Sequence, residues 1–288
     1  MELIPIFFFI SLTLEEKLIE AGRIFEHEIN SGDPDRISEN LVIEQEIPHY
    51  GNSEGRIVNG NRASRGQFPY QAGLSIKDNQ NRYFKCGGSL ISRLWILTAA
   101  HCTYGRIEAT VYLGRTDLRE NQPGSKVLVS RDLRNHPNYN SNTLANDIAL
   151  IKLPSSVTFN QYINKVRLPM QANSYVGQTA FASGYGKTSD TTSTDYLMFI
   201  TERVISNEQC SRTFSIRSSN ICAQGRQGNT PQAICNGDSG GPLAISNVGQ
   251  IGLVSFSIES CEKGAPDVYT RISSYKSFLE SQTGLTFN

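Results

Sequence analysis

The pattern of apolar and polar positions changes character twice along the chain. From Leu3 to Leu14, "LIPIFFFISLTL", it is apolar except at Pro5, Ser11 and Thr13. Residues 15–56 are polar and irregular: "EEKLIEAGRIFEHEI" has the makings of a short helix, "NSGDPDR" breaks it, and "PHYGNSEGR" reads as exposed linker. From Ile57 onward, short runs rich in β-branched and aromatic residues alternate with turn formers, as in "YQAGLSI", "WILTAA", "EATVYLG", "DIALIKL", "GQIGLVSFSI" and "DVYTRI". This spacing predicts an all-β domain, a sandwich or a barrel. A helix is expected in the tail, "SSYKSFLESQTG", which has serine at its start, Tyr275, Phe278 and Leu279 near helical spacing, and Gly284 as the stop.

At 12 residues the first apolar run is too short to span a bilayer but fits the core of a secretory signal peptide, so residues 1–14 are expected to direct export. The fit is incomplete. Glu2 is the only charged residue before the run, and no small-x-small cleavage site follows it. Formal net charge is zero, which gives no reason to expect a nucleic-acid partner. The zero conceals an asymmetry: residues 15–56 carry 11 acidic and 4 basic side chains, and residues 57–288 carry 15 and 23. An acidic leader on a basic body suggests two parts with different fates, the leader docking on the body before it departs; a solvated acidic tail is the alternative. All six cysteines, Cys86, Cys102, Cys210, Cys222, Cys235 and Cys261, follow residue 57. In an exported chain an even count reads as three disulfides, with the pairing open; in a cytosolic chain the same residues would be buried thiols.

Four histidines are candidates for chemistry. His27 and His49 lie in the acidic leader, and His136 sits in "NHPNYN", a surface turn. His101 stands between an apolar run and a cysteine in "WILTAAHCT". A lone histidine is more often structural than catalytic. Asp147 opens the apolar run "NDIALIKL", where a buried carboxylate needs a partner, and an imidazole N–H is a suitable one. Ser239 lies in "AICNGDSGGPLAI", where three glycines and a proline surround one hydroxyl. A flexible linker or a turn that holds the hydroxyl and nearby amides in a reactive geometry would each use such residues. Serine becomes a nucleophile when a base held in one tautomer takes its proton.

The segments "IVNG" (57–60), "CGGSLIS" (86–92), "LTAAHC" (97–102), "NDIALIKL" (146–153), "ASGYGKT" (182–188) and "CNGDSGGPL" (235–243), in this order and spacing, resemble the chymotrypsin/trypsin family of serine proteases over Ile57 to about Thr283. The resemblance implies two packed six-stranded antiparallel β-barrels, at about 57–168 and 169–273, with the active site between them and a C-terminal helix at about 274–283. It implies His101 as general base, Asp147 as its orienting partner and Ser239 as nucleophile. It also implies an oxyanion hole from the amides of Gly237 and Ser239, and disulfides Cys86–Cys102, Cys210–Cys222 and Cys235–Cys261. Residues 15–56 become an activation propeptide cut between Arg56 and Ile57, with the freed amino group pairing with Asp238.

Substrate specificity is where the chain departs from trypsins. Six residues before the serine, where trypsins carry Asp at the pocket floor, stands Ala233; Ile234 adds bulk, Ser257 replaces a wall glycine, and Asp267 in "GAPDVYT" replaces a second floor glycine. An acid from this second position resembles the brachyurin group of crustacean and insect collagenolytic serine proteases. Three specificities stay open: broad cleavage after basic and apolar side chains, apolar-only cleavage with Asp267 satisfied internally, or a mainly basic preference. Arg115 in "RTDLREN" falls where calcium-binding trypsins offer a carboxylate, so no metal or other cofactor is expected. The expected protein is a secreted, extracellular, monomeric serine endopeptidase made as a zymogen, digestive or tissue-degrading. Its partners are protein or peptide substrates, a trypsin-like activating protease and protein protease inhibitors, with no nucleic acid and no membrane. A regulatory cascade protease and a silent homologue acting as a binding protein are the alternatives.

Overall fold

In chain order the strands are β1 (Asn61–Arg62), β2 (Gln71–Asp78), β3 (Tyr83–Leu90), β4 (Trp95–Thr98), β5 (Arg106–Leu113), β6 (Lys126–Ser130), β7 (Asp132–Asn135), β8 (Ala149–Lys152), β9 (Thr179–Gly184), β10 (Met198–Ile205), β11 (Asn220–Gln227), β12 (Thr230–Gln232), β13 (Pro242–Ile245), β14 (Gly249–Phe256) and β15 (Asp267–Arg271). Short helices α1 (Ala100–Thr103), α2 (Asn207–Cys210) and α3 (Lys276–Thr283) interrupt or end the series. This computed structural model describes residues 60–189, 191–228, 230–257 and 261–287. The segments 1–14 and 15–56, with His27, His49, Arg56 and Ile57, lie outside the described residues.

The first lobe is one antiparallel sheet of order β6-β5-β2-β3-β4-β8-β7. Its edge strands β6 and β7 are separated in sequence by Arg131 alone, so one bent run pairs with β5 on one side and β8 on the other. The ring is therefore completed through the chain, and counting the bent run once gives six strands. In the second lobe β10-β9-β13-β14-β15-β11 is closed by the pairing of β10 with β11, which leaves six strands in a ring. β1 is added on the outside, Asn61 opposite Phe199, so this piece of the expected first-barrel range joins the second sheet.

Alternation explains the cores. In β10 the inward positions are Met198, Ile200, Glu202 and Val204, all buried, while Thr201 and Arg203 face water. Ile76, Leu97, Ile151, Leu243 and Leu253 are fully buried, and truncating one of these costs about 2–5 kcal/mol. A separate cluster joins the lobes: Trp95, Leu97, Ile148 and Leu150 pack with Leu253, Tyr275, Phe278 and Leu279. The tail helix stops as expected at Gly284, which is left-handed (φ 71°) and returns its N–H to Glu280 O. Its start differs from expectation. A tight helical turn at Ile272–Tyr275 leads in, and Tyr275 rather than a capping serine precedes α3. The disulfides are Cys86–Cys102, Cys210–Cys222 and Cys235–Cys261.

Arg115 is drawn inside the loop that follows β5. Its guanidinium donates to Leu118 O (3.0 Å) and Asn121 Oδ1 (3.2 Å), while its own carbonyl accepts the hydroxyl of fully buried Tyr185 (2.7 Å). A fixed cation here repels a divalent metal and takes up the loop's oxygens itself. Arg115→Met should cost about 1.5–3 kcal/mol in urea unfolding by orphaning those acceptors, and a chelator should leave the melting temperature of the unsubstituted protein unchanged.

Candidate active site

β4 ends at Thr98 and turns into α1, which carries His101 to the junction between the lobes. Its ring remains partly open to solvent, with 23% of the side chain exposed, whereas Asp147 is buried just before β8. Asp147 engages the histidine twice: Oδ1 accepts the His101 backbone N–H (2.9 Å) and Oδ2 lies 2.8 Å from Nδ1. A carboxylate offers no proton, so Nδ1 is the donor and Nε2 is left as the basic nitrogen. Ser255 Oγ donates to the same Oδ2 (2.6 Å), and Thr270 Oγ1 donates to Asp147 O (2.8 Å). The burial cost of this carboxylate is thus offset by three donors from both lobes.

Ser239 sits on a turn clasped between the lobes. Its carbonyl accepts the Gly87 N–H (2.8 Å) from β3, and Thr98 Oγ1 donates to Gly87 O (2.8 Å). On the other side Gly240 N–H reaches Val254 O (2.9 Å) on β14. Gly240 is left-handed (φ 76°), and a Cβ there would strike Thr98 Oγ1 and the amide of Ala99, two residues before His101. Glycine is therefore required for the turn to approach the α1 entrance so closely. The Cys86–Cys102 disulfide ties β3 to the residue after His101. These contacts bring the Ser239 turn to the His101–Asp147 pair, with Ser239 itself partly exposed between buried Asp238 and Gly240.

Within the turn Asp238 N–H donates to Cys235 O (3.0 Å) and Gly241 N–H to Asp238 O (2.8 Å). Among the described residues the amides of Gly237 and Ser239 meet no protein acceptor. The Asp238 side chain points inward: Oδ1 accepts Gly186 N–H (2.8 Å) and Oδ2 accepts Cys235 N–H (3.0 Å). Burial pushes its carboxyl up to about 7, against the two amide hydrogen bonds.

Of the expected pocket residues, Ala233 and Ile234 are buried beside the turn, and Ser257 is partly exposed. Asp267 is fully buried. Its Oδ2 accepts Ile234 N–H (3.0 Å), so the acid lies behind the Ile234 backbone and is closed to solvent. Burial raises its carboxyl to about 6, while hydrogen bonds from Glu202, Ser257 and Ile234 hold it down. His136 does not join the site. It packs on Tyr275 and Phe278 of the tail, and Asn138 N–H donates to its Nδ1 (3.2 Å).

Three participants escaped the sequence reading. Glu202 occupies an inward position of β10, where a polar residue in phase with an apolar series is the signal that marks it; Ser255 lies in the continuously buried stretch of β14, where no alternation sets it apart. Lys85 ion-pairs with Asp195 (2.8 Å), and its Cδ lies 3.5 Å from where a Cβ on Gly237 would stand. No local pattern singles it out.

Residues 57–279 match the family described as Trypsin. The chain is 40% identical over 242 residues to a protein named collagenase from Hypoderma lineatum, covering 81% of this chain and 90% of that one. It is 39% identical over 234 residues to brachyurin from Leptuca pugilator, covering 80% and 100%. A solved structure of HL collagenase superposes with a TM-score of 0.73 at 38% identity, covering 80% of this chain and all of that one.

Proposed function

Because the chain belongs to the trypsin family and is a chymotrypsin-like serine endopeptidase, we propose that His101, Asp147 and Ser239 carry the reaction. His101 Nε2 takes the Ser239 proton as Oγ attacks a peptide carbonyl, and the amides of Gly237 and Ser239 receive the oxyanion. The protonated imidazole then hands its proton to the leaving amine, and water releases the acyl group by the same steps in reverse. The observation that carries this reading is the double engagement of Asp147 with one histidine, which fixes both ring orientation and tautomer. Each oxyanion donor contributes about 3–4 kcal/mol to lowering the barrier.

The chain is a secreted zymogen in this reading, cut at Arg56–Ile57 by a trypsin-like protease and thereafter a monomer open to protein inhibitors. The acidic leader departs after the cut, having no cysteine to hold it. Burial of Asp238 supports the activation step. Its folded carboxyl sits near 7 and its ordinary value is 3.8, so the precursor loses stability as pH rises between those values. A new buried ammonium beside it reverses that loss. In Ser239→Ala protein, thermal melts should therefore show Asp238→Asn flattening the decline between about pH 4 and 7 in the uncut chain. Cutting should raise the melting temperature at about pH 8 only while Asp238 is present.

The pocket supports broad cleavage. Ala233 and Ile234 offer an apolar floor, while the Asp267 charge lies one layer beneath, where it attracts a basic side chain without blocking an apolar one. The relatives named collagenase and brachyurin favour a digestive or tissue-degrading role on structural proteins. Full burial of Asp267 favours a second specificity, apolar-only cleavage. The test is to cut the purified precursor with trypsin and profile it on a mixed peptide library. Cleavage after both Leu/Phe and Lys/Arg supports the broad reading, Leu/Phe alone the second. No hydrolysis at all returns the chain to a silent binding protein.

A further inference from the structure

Beneath the pocket floor lies a second carboxyl that catalysis does not use. Glu202 on β10 is buried on the inner face of the second barrel, where β11 separates β10 from β15. Glu202 stands opposite Gly225, and Asp267 opposite Ala223, so the two acids flank β11 on one face, two residues apart in register. Neither Ala223 nor Gly225 has bulk to keep them apart. Across that gap each carboxyl acts electrostatically on the other. The other oxygens are accounted for: Tyr269 O–H donates to Glu202 Oε2, and Ile234 N–H donates to Asp267 Oδ2. Among the described residues Glu202 Oε1 and Asp267 Oδ1 are buried with no hydrogen-bond partner. Two carboxylates cannot face each other there unless one proton lies between them.

We propose that Glu202 is a positioning residue for substrate specificity: it holds the proton of a Glu202–Asp267 acid pair, donates it to Asp267, and thereby fixes the charge that the pocket floor presents to an incoming side chain. The proposal rests on the reading of Asp267 as the pocket acid. Burial and the neighbouring Asp267 hold the Glu202 proton well above the carboxylate range, while the bond from Glu202 keeps Asp267 ionised above about 6. The charged and titratable groups facing the pair are Tyr269 from β15 and Asp238 from the serine turn, the latter countered by Lys85 from β3; the Ser257 hydroxyl and Ile234 amide are neutral donors.

The test uses the full chain, activated by trypsin, and the ratio of kcat/KM for an Arg against a Leu substrate, in which effects common to both substrates cancel. In the unsubstituted enzyme this ratio should climb as pH rises through about 6. In Glu202→Val, Asp267 loses its donor while remaining buried, so the climb moves up by a unit or more. The ratio at neutral pH should fall about twofold for a one-unit move and about tenfold for two units. Glu202→Gln, which supplies an N–H donor of the same reach, should restore the original profile. A merely structural role would move both substrates together and leave the ratio alone. Independently, the infrared band of a protonated carboxyl should be present at about pH 8 in Ser239→Ala protein and absent once Glu202→Gln is added. If Asp267→Asn leaves the ratio and its pH dependence intact, the pocket reading itself fails. If Asp267→Asn abolishes the dependence but Glu202→Val does not shift it, or if the infrared band survives Glu202→Gln, the role given to Glu202 is overturned.

Discussion

Replacing Asp147 by asparagine is expected to lower kcat by about 10⁴-fold with little change in the fold or in KM. Asp147 accepts from His101 N–H, His101 Nδ1–H and Ser255 O–H at once. An asparagine keeps the size but has one acceptor oxygen and a donor NH2. With the oxygen held by the backbone amide, the NH2 faces Nδ1 and forces it to accept. The ring proton then moves to Nε2, the nitrogen that must take the Ser239 proton, and the base is lost without a change of shape. Steady-state kinetics of the activated variant decide this. A loss smaller than about tenfold would mean that Asp147 does not set the tautomer.

The second large effect concerns a residue that touches no substrate. Gly186 donates its N–H to Asp238, and a Cβ there would stand 2.5–2.7 Å from the Asp238 carboxyl atoms. These contacts are with a buried side chain locked by two amides, so the carboxyl cannot swing away without giving up both hydrogen bonds. Gly186→Ala should therefore displace the 235–241 turn and misalign the amides of Gly237 and Ser239. The expected loss is about 10²–10³-fold in kcat, the cost of an oxyanion donor. His101–Asp147 would be untouched, so the pH dependence of the residual activity should keep its shape. Activity within a few-fold of the parent would show that the turn is not held by this contact.

What the sequence disclosed and what it hid follow from the range of the interactions involved. His101, Asp147 and Ser239 each lie in a dense local motif, because each needs a particular backbone around it: a helix start, a buried strand entry, a glycine turn. The tail helix was visible for the same reason, in its apolar spacing and Gly284. Closure of the first ring was implied only by the family resemblance and not by local pattern, since it depends on a bend at Arg131 that resembles any other polar residue between strands. Asp267 was legible as an unusual acid, yet its burial beneath the floor depends on Ile234 and on a strand 65 residues earlier in the chain, where Glu202 sits. Strand phase in β10 carries a signal that Glu202 is inward, which went unread, and only the closed barrel supplies its partner.

The most direct test of the central claim is labelling by a serine-directed phosphonate before and after tryptic cleavage at Arg56–Ile57. The account predicts one adduct per chain, on Ser239, formed rapidly only after the cut and suppressed by Asp147→Asn and by His101→Ala. Equal labelling of the uncut chain, an adduct on another residue, or none at all would contradict it.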